Sequence, residues 1–147
     1  MKHRVKVTVL ETTVNEELQK EYLANPASGP CPCFKPGDAY DFWREPDRDD
    51  FYKFGRGCGT NDAGDGQDFP CAEAWDCISR YVYSGLQGGA FMHNWTNDDR
   101  VMIACYNDGT RPVVFKLERI DEAEDEADRA YLAAKDFSCG QEDAYTG

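Results

Sequence analysis

The chain is short of positive charge, of histidine and of long apolar runs. Its 16 basic side chains face 28 acidic ones over 147 residues, a formal charge of −12. That charge repels phosphate backbones and anionic bilayers, so neither nucleic acid nor a membrane is an expected partner. No apolar run approaches the roughly 18 residues that suggest a membrane span. The opening MKHRVKVTVLETTV alternates instead of forming the apolar centre of a secretory signal, and a soluble, cytoplasmic protein is expected. No P-loop, dinucleotide fingerprint, HExxH pair or nucleophile elbow occurs, which leaves nucleotide hydrolysis, classical hydride transfer and standard hydrolase chemistry without sequence support.

Thiols, in contrast, are plentiful. Seven cysteines, at positions 31, 33, 58, 71, 77, 105 and 139, are an odd number, so at least one cannot join a disulfide within the chain. Metal binding, redox chemistry and plain burial are the available roles. Two of the thiols lie in GPCPCFKPG, residues 29 to 37, where three prolines stiffen the loop.

The length suits one domain over 1–147. Val5 to Leu10 alternates as a half-buried strand with Val5, Val7 and Val9 on one face. Asn15 can cap a short helix through Glu16, Leu18 and Tyr22, which Asn25-Pro26 ends. Residues 43–68 turn to glycine, aspartate and arginine and are read as an inserted surface excursion. Its NDAGDGQD run lacks the spacing and final glutamate of a calcium-binding EF-hand. A helix then starts near Asp68 and Pro70 and runs to Gly85 or Gly88, with Trp75, Ile78, Val82 and Leu86 as its apolar stripe. Helical spacing puts Cys71 on that face and turns Cys77 away from it. In VMIACYNDGTRPVVFKLERI, Asp108-Gly109 predicts a two-residue hairpin turn that sets Cys105 opposite Pro112 and Met102 opposite Phe115. The remainder, 121–147, reads as an acidic tail, helical or partly disordered. The expected fold class is α+β: a small antiparallel sheet that includes the C-terminal hairpin, with one main helix packed on it.

GPCP at 29–32, CAEAW at 71–75 and CYNDGTRPVVFKLERI at 105–120 occur in that order behind the strand VKVTVLETT. Together they resemble a small, functionally uncharacterised bacterial repeat-protein family with the pattern GPCP, CxxAW, CxxDGxRPVVFKxER. The likeness covers roughly residues 4 to 42 and 69 to 120. It implies a shared fold and shared special residues, Gly29, Pro30, Cys31, Cys71, Trp75, Cys105, Asp108, Gly109, Arg111 and Pro112, but no activity.

One thiol from each motif, Cys31, Cys71 and Cys105, with Cys33 or His93 as a fourth group, would suit a tetrahedral zinc or iron centre, since such metals favour thiolate. The leading expectation is therefore a metal or small ligand held by Cys31, Cys71 and Cys105, in a protein that serves as accessory to an anaerobic enzyme system. A second is a cofactor-independent isomerase, racemase or lyase. There Cys71, its thiolate favoured by a helix N-terminus, is nucleophile or acid/base, His93 or Asp108 moves a proton, and Arg111 holds an anionic substrate beside Trp75 and Trp95. A third is an acidic interaction or scaffold module with structural cysteines, working with a protein partner or as a homo-oligomer.

Overall fold

The protein is described from a computed structural model covering residues 1–45, 48–49, 60–61 and 69–138. Most of the 43–68 excursion, including Cys58 and nearly all of NDAGDGQD, and the tail beyond 138 with Cys139 lie outside the described residues.

The first strand, β1 (Lys2–Thr12), is rich in valine and threonine, whose branched side chains fit a pleated, half-buried surface. Its inward residues Val5, Val7 and Val9 are almost wholly buried. One edge of β1 pairs with β2 (Ala39–Phe42) and the other with β7 (Val113–Glu122), both antiparallel. Adding β5 (Thr60–Asn61) beyond β2 and β6 (Val101–Cys105) beyond β7 gives the order β5-β2-β1-β7-β6. The short β3 (Arg44–Glu45) and β4 (Arg48–Asp49) pair separately. This is the expected α+β architecture.

Between β1 and β2, Asn15 caps α1 (Glu16–Tyr22) by accepting the Leu18 N–H, as its sequence predicts. The main helix, α2 (Ala72–Leu86), begins two residues past Pro70 with Cys71 as its cap residue. Its stripe Trp75, Ile78, Val82 and Leu86 is buried against the β1 and β7 face. Cys77, expected to turn away, also packs on the rim of this core. The core includes an aromatic cluster in which Phe42 stacks on Trp75 at 5.2 Å, and Phe34 meets Phe115 edge-on at 5.1 Å and Phe69 at 5.5 Å.

At the far end of α2, Arg119 of β7 donates to the Gly88 and Gly89 carbonyls at 2.7 Å, placing a cation where helix carbonyls lack partners. Asp121 holds that arginine and also contacts His3. Burial alone would raise the Asp121 pKa, but the contacts with His3 and Arg119 outweigh it and lower the pKa.

The hairpin differs from its predicted register by two residues: Cys105 faces Val114 and Met102 faces Leu117. Asp108 does not occupy the centre of a two-residue turn. It stands first in a four-residue turn closed by Arg111 N–H on the Asp108 carbonyl, and its carboxylate accepts the Thr110 N–H. An aspartate bonding two residues ahead competes with the type I′ turn, and Pro112, lacking an N–H, stays outside the ladder. Because the shift is even, the inward residues keep their face and Cys105 stays on the outer one. Strand β7 runs on to Glu122, into the predicted tail, and α3 (Glu126–Ser138) follows. Asp125 and Asp128 exchange side-chain and backbone hydrogen bonds at its start, and Lys2 reaches Asp128 at 3.3 Å.

Helix α2 lies so close to β1 that a Cβ on Gly85 would come within 2.5 Å of Val5 Cγ2 and 2.8 Å of Phe91 Cε1. Gly85→Ala should therefore destabilise the fold by about 1–3 kcal/mol, the usual range for overpacking, read as a lower denaturant midpoint.

Candidate functional site

The thiol loop is pinned from both sides. Phe34, two percent exposed, anchors it in the aromatic cluster. On the other side Gln19 of α1, equally buried, accepts the Gly29 N–H at 3.0 Å and donates to the Gly29 carbonyl at 2.8 Å. The same amide reaches the Thr110 carbonyl at 3.3 Å, so one side chain ties α1, the start of GPCPCFKPG and the hairpin turn together. Gly29 sits at φ +72°, a conformation open to glycine at little cost.

Within this frame Cys31 is buried and Cys33 reaches the surface. Cys31, Cys71 and Arg111 all lie within electrostatic reach of Cys33. The Cys33 thiol is pushed above its ordinary range first by burial of its sulfur among the loop atoms, then by Cys31 and Cys71, with Arg111 opposing. Tyr106 borders the same cluster, and burial followed by Cys71 raises its hydroxyl. Cys71 makes no side-chain cap hydrogen bond to α2.

A second pair lies apart. Cys77 on α2 lies within electrostatic reach of the exposed Cys105 on β6; burial pushes the Cys77 thiol up, while an N–H from Asn107 opposes the shift. The Cys105 thiol donates to the Tyr106 carbonyl at 3.2 Å.

This division overturns the metal expectation. Among the described residues no group of three or more His, Cys, Asp or Glu side chains could hold a metal ion. Cys31, Cys33, Cys71 and Cys105 are therefore not a zinc or iron site, and a metal ion is withdrawn as partner and cofactor. Zn–S bonds near 2.3 Å demand convergence on one point, whereas electrostatic influence extends much farther. Cys105 emerges on the outer sheet face, and Cys71 starts a helix packed on the inner one.

The other anticipated groups are dispersed. Asp108 accepts from the Thr110 N–H and hydroxyl at 2.9 Å and from Arg111 Nε at 3.1 Å. These bonds, led by the Thr110 N–H, hold its carboxyl below the usual range, so it orders the turn that presents Arg111. Trp75 is core, whereas Trp95 is 70% exposed, so the two do not wall one pocket. His93, also exposed, contacts Asp99 in the loop that follows α2. The 15 residues of α2, about 22 Å at 1.5 Å per residue, separate that loop from Cys71.

Gln19 has no mark in the sequence: the apolar pair Leu18 and Tyr22 suggests the inward side of α1, yet both are exposed and the glutamine is buried. No family model, curated protein or solved structure matches this chain. No described helix is long and apolar enough to cross a membrane.

Gln19→Ala would strand the half-buried Gly29 amide and carbonyl, at a cost of about 1 kcal/mol or more. The expected result is a lower unfolding midpoint with faster hydrogen exchange at Gly29; unchanged exchange there would show that the loop holds itself.

Proposed function

We propose that the protein is a thiol redox protein, in which Cys31 and Cys33 undergo reversible two-electron oxidation with Cys71 as the neighbouring thiol. The carrying observation is a buried thiol and an exposed thiol two residues apart in a loop held by Gln19 and Phe34. A buried thiol beside an exposed one separates the roles: Cys33 meets the partner, and Cys31 is shielded until a mixed disulfide forms.

The oxidant class is another protein's disulfide or that of a small thiol. Cys33, after losing its proton to solvent, attacks one sulfur and expels the other as thiolate. Cys31, likewise deprotonated, then attacks Cys33 Sγ and expels the second thiolate. Two electrons pass to the partner, its S–S bond becomes two thiols, and the Cys31–Cys33 bond replaces it. We place this chemistry in the cytoplasm, where reducing conditions return the pair to thiols. Arg111 is a cation within electrostatic reach of the thiolate that forms at Cys33.

Treating the reduced protein with oxidised glutathione should remove two thiols per molecule and map a bond between Cys31 and Cys33, with dithiothreitol restoring both. Cys31→Ser should stop at a mixed disulfide on Cys33, and Cys105→Ser should leave the reaction intact. No loss of thiols at positions 31 and 33, or an equal response in Cys33→Ser, would overturn the reading. Since the Cys33 thiol lies above its ordinary value of 9.0, its alkylation rate should still be climbing above that pH.

A further inference from the structure

Strand β6 forms one edge of the sheet. Its sequence, Val101-Met102-Ile103-Ala104-Cys105, contains no charge, proline or glycine, and its pairing with β7 has no bulge. These are the devices by which exposed edges are usually kept from pairing. The ladder settles which backbone groups face outward. Tyr106 N–H bonds the Val113 carbonyl and Arg119 N–H bonds the Arg100 carbonyl, so even-numbered residues of this strand point at β7 and odd-numbered ones point away. Of the three outward residues, Val101 is already engaged: its N–H bonds the Asp98 carbonyl and its carbonyl accepts the Thr96 hydroxyl. Among the described residues Ile103 and Cys105 remain, each with an outward N–H and C=O.

We infer that β6 pairs with β6 of a second copy, making a symmetric dimer in which Ile103 of each chain faces Cys105 of the other. Two open residues per chain have one antiparallel register that uses all of them, with Ala104 opposite Ala104 on the two-fold axis and four hydrogen bonds between chains. Centring on Ile103 would instead oppose Cys105 to the occupied Val101. The chosen register also sets Arg100, just ahead of the strand and paired with Asp98, opposite Asp108, just beyond it and paired with Arg111, so no like charges are brought directly opposite there. It would cover Ile103, 44% exposed on the outer face. The loop bonded to Val101 also holds Trp95, 70% exposed, a large side chain of the kind that anchors interfaces.

Sedimentation of the full chain in reducing buffer should give about twice 16.6 kDa at tens of micromolar. Ile103→Pro deletes an outward N–H without touching the β6–β7 ladder, and Ile103→Lys places a charge at the centre of the strand. Each should yield a monomer with unchanged far-ultraviolet circular dichroism; if the proline variant does not fold, the lysine variant decides. Register is read with Ile103→Cys under diamide, which should link position 103 to Cys105 of the second copy and lose that link when Cys105→Ser is added. A wild-type monomer at the highest concentration reached would overturn the inference. So would a dimer untouched by Ile103→Lys, or a bridge that forms without Cys105.

Discussion

The structure depends on the burial of one face of β1. Val5, Val7 and Val9 lie at the centre of the sheet, with β2 on one side and β7 on the other, and helix α2 covers them. Both neighbours of β1 come from distant sequence, so this strand joins the start of the chain to its later hairpin. A Cβ at Gly85 would meet Val5, and its absence allows the helix to approach. The approach in turn sets the position of Cys71 at the helix start and of Gly88, beneath Arg119, at its end.

Around that core the thiols divide by face. Cys31, Cys33 and Cys71 gather where the proline-rich loop, the helix start and Arg111 meet. Cys105, one residue before Tyr106, emerges on the other side of β6 and acts on Cys77. A metal centre needs all its ligands within one coordination radius, whereas thiol exchange needs two sulfurs that can touch in turn. Cys31 and Cys33, two residues apart in one held loop, suit only the second requirement, and among the described residues no group suits the first.

The open edge and the thiol loop are separate features of one sheet. Among the described residues, the Thr96 and Asp98 contacts close the outward groups of Val101 and leave those of Ile103 and Cys105. The loop is instead closed on both flanks, by Phe34 in the core and by Gln19 against Gly29 and Thr110. An unclosed backbone edge invites pairing; a closed loop holds its side chains in fixed directions.

Local patterns carried much of the fold. Alternating valines in β1, the Asn15 cap and the stripe Trp75, Ile78, Val82 and Leu86 were legible because neighbours along the chain produce them by the periods of strand and helix. The hairpin was legible in faces but not in register, because Asp108 bonds forward to Thr110 and moves the turn by one residue, a contest between two local geometries. The site was legible only in part. Composition drew attention to the thiols, and motif order singled out Cys31, Cys71 and Cys105, but which sulfurs lie near one another depends on the path of the backbone through space. Tertiary packing alone decided that Cys71 comes near the Cys31–Cys33 loop while Cys105 leaves on the outer sheet face, and that a buried glutamine holds the loop. Its partners, Gly29 and Thr110, lie ten and 91 residues away, beyond the reach of any sequence period.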